Sequence, residues 1–305
     1  MISKVKNMFK KLILGVSLSV VALGSAVIGF TPILKQSPKS YSNKNWMSSL
    51  SDTTLINEIN MPGTHDTMAL YSISDIAGKC QSLSLSDQLN IGVRFLDIRL
   101  QLVNNTLKAM HGFIDQKSTF SDIVSIVNSF LKENSSEYII MSIKEESEQK
   151  KSNITFEEAI KNVTNKYDCF LLDNSLPAQL SSCRGKVSIL SRYKNSSIGI
   201  EAFNEWSDNT TFTMSNGIHV QDHYKLDNND IKKQDITNCF ADTNTYNLKI
   251  NFLSGYLKNG FPPSYAPSVA NVINPWVKGE FKKYSNRGVV LFDFVNSDLM
   301  KEWFN

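Results

Sequence analysis

After Trp46 the chain settles into one rhythm, and that rhythm limits its folds more than any other feature. Short runs of β-branched and aromatic residues alternate with segments of helical period. The spacing predicts strands over 56–61, 93–100, 107–111, 138–144, 187–192, 218–223, 248–253 and 289–294. Several of these, YIIMSI and VVLFDF among them, are nearly continuous apolar runs, which suits strands covered on both faces of a parallel sheet. Between them Phe120, Ile123, Val124, Val127, Phe130 and Leu131 make one helical stripe. Thr155 and Glu158 have the spacing of a capping box, and Asn296-Ser297 can cap a last helix. Eight strands with helices between them, in roughly 250 residues, indicate the α/β class and a single TIM-type (β/α)8 barrel. The barrel is expected to be irregular, because the second and third strands are joined by too short a connection for a helix. A doubly wound open sheet is the alternative, weakened because no GxGxxG follows a strand.

The amino terminus stands outside this rhythm. Lys4, Lys6, Lys10 and Lys11 precede an apolar run from Leu12 to about Phe30 that contains Gly24, Ser25 and Ala26. Residues 1–26 therefore read as a secretory signal, with cleavage after Ala26 or up to about residue 30. A retained membrane anchor is the alternative, since the run is near the lower limit for a spanning helix. Residues 31–45 are polar and carry Pro32 and Pro38, and 27–45 read as a linker to a domain over 46–305. The whole chain holds 32 Lys+Arg against 29 Asp+Glu, but four of the lysines belong to the signal. The mature part then has 28 basic and 29 acidic residues, a net charge of −1, which leaves no basic field for nucleic acid. The expected destination is extracellular. There Cys80, Cys169, Cys183 and Cys239 are buried thiols or include one local bridge, Cys169–Cys183 being closest in sequence. Their spacing fits no zinc pattern.

Chemistry-bearing residues gather at the ends of the predicted strands. In INEINMPGTHD, Pro62-Gly63 is expected to end the first strand and set Thr64, His65 and Asp66 on a loop. The second strand ends at Asp97 and Arg99, two apart and so on one face. The third ends at His111-Gly112, the fourth at Lys144, the fifth at Arg192, the sixth at Asp222, His223 and Tyr224, and the eighth at Asp293. In a barrel the carboxyl ends of different strands converge on one mouth. Two histidines, several cations and several carboxylates meeting there are what moving protons around a bound phosphate requires.

These residues lie in MPGTHD (61–66), FLDIR (95–99), MHG (110–112), SIKEE (142–146), SRY (191–193), VQDHY (220–224) and FDF (292–294). In that order the chain from about Trp46 onward resembles bacterial phosphatidylinositol-specific phospholipase C, the X-domain barrel. The resemblance implies cleavage of phosphatidylinositol to diacylglycerol and inositol 1,2-cyclic phosphate, with slow hydrolysis of the cyclic product. It implies His65 as general base on the inositol 2-hydroxyl and His111 as general acid on the leaving diacylglycerol oxygen. Asp293 would hold His65, Asp66 would sit beside His111, and Arg99 would contact the phosphate. Lys144, Arg192, Asp222 and Tyr224 would form the inositol pocket. It implies no cofactor and no metal, Arg99 standing where relatives in eukaryotes use calcium. The implied partner is phosphatidylinositol at a membrane surface, with glycosyl-phosphatidylinositol anchors as a further candidate, and a monomeric enzyme.

Asp97 is open between a structural support for Arg99 or Lys144 and a substrate contact. His219 and His223 match no role of the family and read as satisfied core or rim histidines. The segment after PGTHD lacks the tryptophan that some members place at the lipid interface; Tyr71, Ile76, Phe203, Trp206, Phe261 and Tyr265 are the substitutes, or plain packing. The rival functions are a metal-dependent glycerophosphodiester phosphodiesterase and a non-catalytic barrel that only binds inositol lipids.

Overall fold

In the computed structural model, the described residues are 42–72, 78–259 and 265–305. The expected signal over 1–26, most of the expected linker, Ile76 and Phe261 lie outside them. No helix among the described residues is long and apolar enough to cross a membrane.

Eight parallel staves carry the architecture: β1 (Met61–Thr64), β2 (Phe95–Val103), β3 (Tyr138–Glu145), β4 (Lys186–Arg192), β5 (Ile200–Glu201), β6 (Ile218–Gln221), β7 (Leu248–Phe252) and β8 (Val289–Phe292). β1 to β5 pair in parallel in chain order, as do β6 to β8, and β1 pairs with β8. Among the described residues no ladder joins β5 to β6, so the irregular barrel has one open seam.

Three strand readings are corrected by the structure. The first stave is 61–64 rather than 56–61, and Pro62-Gly63 lies inside it instead of ending it; Ile56–Glu58 is a 3-10 turn. The proline is tolerated because the ladder from β1 to β2 begins only at Gly63. Glycine is needed there, since a Cβ on Gly63 would come within 2.8 Å of the Phe95 Cβ. Second, the run at 107–111 is not a stave. Thr106–His111 turns back antiparallel along the end of β2 and pairs in turn with Ile114–Thr119. Third, the missing stave is β5, with only two paired residues, and Phe170–Leu171 pairs further down β4.

Inside the staves, alternation decides what the barrel contains. Met61, Phe95, Tyr138, Ile140, Leu190, Ile218, Val220, Ile250, Phe252, Val289 and Leu291 point inward and form one buried cluster. Leu96, Ile98, Ile139, Met141, Ile143, Val187, Ile189, Val290 and Phe292 point outward, into a second cluster shared with the helices. The described residues contain six α-helices. α1 (Leu85–Asn90) follows the N-cap Ser84, and α2 (Phe120–Glu133) opens on a capping box between Thr119 and Asp122. α3 (Phe156–Thr164) starts at the predicted Thr155–Glu158 box. α4 (Asn229–Ala241) and α5 (Ala266–Lys278) follow β6 and β7, and α6 (Ser297–Phe304) is capped by Asn296. All four cysteines are buried and free, so the Cys169–Cys183 bridge is not formed.

Candidate active site

Continuing the inward parity of the staves past their apolar layers gives the site directly. On β1 the inward positions are Met61, Gly63 and then His65; on β8 they are Val289, Leu291 and then Asp293. The two strands run in register with Thr64 opposite Phe292, so His65 and Asp293 leave the ladder side by side. His65 Nδ1 is 2.8 Å from Asp293 Oδ1, which leaves Nε2 for a ligand. Gln81, buried between them, donates from Nε2 to the carbonyls of both His65 and Phe292 at 2.8 Å and fixes the pair's backbone.

The same parity puts three cations in one row. Arg99 is opposite Lys144, and Lys144 is opposite Arg192. Neighbouring strands lie about 4.8 Å apart, so such a row holds only if acids intervene. Asp97, fully buried two residues below Arg99, accepts from Arg99 at 3.0 Å and from Arg192 at 3.4 Å. It also accepts from the Asp66 amide at 3.0 Å. Burial opposes a charged carboxyl here, but Arg99 and Arg192 outweigh it and hold Asp97 below the usual carboxylate range. Glu146 accepts from Lys144 Nζ at 2.9 Å and from the Gly112 amide at 2.9 Å. Arg99 is held charged by Asp97 and Asp66, well above its ordinary value in spite of burial.

His111 arrives from the hairpin strand Thr106–His111 and pairs through Nδ1 with Asp66 Oδ2. Asp66 sits just past β1 with a positive φ of 38°, which turns its side chain over the strand end and toward the hairpin. Burial works against a charged imidazole, yet the Asp66 hydrogen bond and charge prevail and raise the pKa of His111. Two imidazole–carboxylate pairs thus meet at one cavity of about 590 Å³ that Arg99 also lines, its Nε 3.8 Å from Asp66 Oδ2.

Lys144, Arg192, Asp222 and Tyr224, expected from the sequence to hold inositol, line the same cavity. Trp206, on the segment that spans the seam, joins two of them. Its ring lies 3.5 Å from the Arg192 guanidinium carbon, and its Nε1 donates to Asp222 Oδ2 at 3.1 Å. Tyr224 donates to Asp208 at 2.6 Å. The nine residues singled out in the sequence are therefore brought together. Among the lining groups that were not assigned a place there are Glu146, Trp206, Asp208 and Cys80. Glu146 had a signal, standing in the SIKEE run two residues past Lys144. Cys80 is buried, and burial followed by the charges of Asp293 and Asp66 pushes its thiol well above its usual range. His219 stacks on Tyr246 at 4.4 Å and pairs with Thr213, while His223 pairs with Asp235. Among the described residues, two groups have donors close enough for a metal ion: His65, Cys80 and Asp293, and Asp66, Cys80 and His111.

The family model described as phosphatidylinositol-specific phospholipase C, X domain, matches residues 60–192. A Listeria monocytogenes protein named 1-phosphatidylinositol phosphodiesterase is 28% identical over 277 residues, 86% of this chain and 84% of its own. One of the same name from Staphylococcus aureus is 29% identical over 266 residues, 80% of this chain and 85% of its own. The solved phosphatidylinositol-specific phospholipase C of S. aureus, from work on modulating its membrane binding, superposes with a TM-score of 0.75 at 26% identity, covering 87% of this chain and 97% of that one. The L. monocytogenes enzyme superposes with a TM-score of 0.70 at 26% identity, over 86% of this chain and 97% of its own. Its relatives and solved neighbours make the chain similar, over most of its length, to bacterial phosphatidylinositol-specific phospholipases C, with the X-domain match over 60–192.

Proposed function

We propose that this protein cleaves phosphatidylinositol by metal-independent intramolecular phosphoryl transfer, giving diacylglycerol and inositol 1,2-cyclic phosphate. The observation that carries the reading is the pair of imidazole–carboxylate couples, His65–Asp293 and His111–Asp66, on one cavity that Arg99 also lines. His65 Nε2 takes the proton of the inositol 2-hydroxyl, and that oxygen attacks phosphorus. The bond from phosphorus to the diacylglycerol oxygen breaks, and His111 gives that oxygen its proton. Asp293 keeps the His65 proton on Nδ1, and Asp66 keeps His111 charged until it is used. Arg99 meets the charge that builds on the non-bridging oxygens, as a fixed fork suited to phosphate. The internal nucleophile makes the step unimolecular, which can contribute roughly 7–11 kcal/mol. Water then opens the cyclic phosphate slowly, with the two histidines exchanging roles.

Lys144, Arg192, Asp222 and Tyr224 hold the inositol ring, the charged groups taking its hydroxyls and Tyr224 its face. Glu146, Asp208 and Trp206 orient them. For the lipid surface we place Phe113 and Tyr71 at the contact. They are 82% and 50% exposed, and Phe113 follows Gly112 at the cavity wall. Tyr71 is tied to the Phe113 hairpin by reciprocal bonds with Gln116 at 2.8 and 3.2 Å. Of the other lipid-contact candidates, Trp206 and Tyr265 line the cavity and Phe203 is 43% exposed. The proposal extends to export through the signal over 1–26, to a monomeric enzyme, and to glycosyl-phosphatidylinositol anchors, which carry the same phosphodiester.

Release of water-soluble inositol phosphate from headgroup-labelled phosphatidylinositol in detergent micelles tests the reading. The 2-O-methyl lipid should not be cleaved. Hydrolysis of that analogue at the parent rate would mean that water attacks directly, as in the metal-dependent diesterases, and no release from either lipid would leave a binding protein.

A further inference from the structure

Cys80 lines the cavity without a task in phosphoryl transfer, and it stands between the two imidazole–carboxylate couples. Its Sγ is 4.0 Å from His111 Nδ1. Donor atoms of Cys80, His111 and Asp66 all lie within 4.8 Å of one another, as do those of Cys80, His65 and Asp293. Asp66 and Asp293 are 1% and 2% exposed, and each keeps one buried carboxylate oxygen without a hydrogen-bond partner. An orphaned buried anion oxygen calls for a cation or a donor. A set of one thiol, one imidazole and one carboxylate suits a borderline-soft tetrahedral ion, whereas calcium and magnesium want oxygen ligands throughout. With Zn–S near 2.3 Å and Zn–N near 2.0 Å, a tetrahedral ion needs sulfur and nitrogen about 3.5 Å apart. Cys80 and His111 reach that by closing about half an ångström, while Asp66 Oδ2, hydrogen-bonded to His111 Nδ1, has to open to about 3.3 Å from it.

We propose that Cys80, His111 and Asp66 form a site for a thiophilic divalent cation, zinc first, and that filling it turns the enzyme off. The ion takes the place of the Cys80 Sγ proton and of the proton between His111 and Asp66; both protons go to solvent and nothing is oxidised. His111 Nδ1 then binds the ion and Asp66 no longer sustains the imidazolium, so the proton left on Nε2 belongs to a neutral imidazole, a far weaker acid for the leaving oxygen. The inhibition rests on the function proposed above; the binding does not.

The test uses the full chain freed of metal, and reads binding and activity separately. Titration with cobalt(II) should give a thiolate-to-metal absorption band that saturates at one ion per chain and is abolished by zinc. The band should be lost in Cys80→Ser and in Cys80→Ala. Zinc should inhibit phosphatidylinositol cleavage in micelles, reversibly by EDTA. Each Cys80 variant, measured against its own zinc-free rate, should need at least about tenfold more zinc for half inhibition. No thiolate band in the unaltered protein, or equal zinc sensitivity in the variants, would overturn the site. Stimulation by zinc would overturn the off-switch. A chain that binds cobalt through Cys80 but cleaves no phosphatidylinositol would keep the site and remove the function.

Discussion

Two walls of the barrel are built differently and hold different parts of the site. From β8 through β1, β2 and β3 to β4 the ladders are unbroken, and paired positions run from Thr64–Phe292 through Arg99–Lys144 to Lys144–Arg192. His65, Asp293, Arg99 and Lys144 stand on this wall, each placed by backbone register. Across the seam, β5 offers two paired residues and among the described residues has no ladder to β6. There Arg192 and Asp222 are related through Trp206, by ring stacking and an indole hydrogen bond rather than by a ladder. Groups proposed to act on the reacting atoms tolerate small errors in position poorly; His65, Asp293 and Arg99 have the stiff wall, and His111 comes from the hairpin that pairs with β2. Of the groups proposed to receive the sugar, Lys144 and Arg192 lie in the ladder, and Asp222 and Tyr224 lie across the seam.

The comparison predicts unequal losses when each wall is damaged. His65→Ala and His111→Ala, on the reacting side, should each lower turnover by about two to four orders of magnitude. A substrate with a very good leaving group should partly restore His111→Ala and not His65→Ala, because only the former lacks leaving-group protonation. Comparable rescue of both variants would break the assignment of acid and base. Arg99→Lys should cost about 10² to 10³ in kcat, the scale of one lost oxyanion donor. A loss confined to KM would place Arg99 with the sugar instead.

On the seam side, Trp206→Ala should raise KM by roughly three- to thirtyfold, the range of a stacked cation, with kcat within a few-fold. A collapse of kcat would mean that the seam is as stiff as the ladder wall. The smallest effect concerns pH. His111 has a raised pKa, so its acid form, and the stability that form contributes, are present below the ordinary imidazole value and fade as pH rises through the folded value. The basic limb of the rate profile should therefore lie above about 6.5, and Asp66→Asn should move it down. An unmoved limb in Asp66→Asn would assign that limb to another group.

How much of this was legible in the sequence follows the same division. On the ladder wall the strand cores were readable from apolar runs, and His65, Arg99, Lys144 and Asp293 from their place just beyond them. Proline and glycine within 61–64 misled the reading of β1, because a parallel edge that starts late does not need the Pro62 amide. The hairpin strand at 106–111 passed for a stave, since period cannot tell parallel from antiparallel pairing. At the seam, β5 has two paired residues, too few to show any period. Trp206 and Asp208 come from irregular chain with no strand before them, so nothing local marked them as lining the cavity. Cys80 carried no signal either, because a buried thiol reads the same wherever it is buried.

The central claim is that the inositol 2-hydroxyl attacks phosphorus with protein groups alone in attendance. Phosphorus NMR of phosphatidylinositol cleavage in detergent micelles, in excess EDTA, tests it most directly. Inositol 1,2-cyclic phosphate should appear first, at a rate that chelator does not lower and calcium does not raise, and inositol 1-phosphate should follow slowly. Inositol 1-phosphate formed from the outset without the cyclic species, or cleavage stopped by EDTA and restored by calcium, would contradict the account.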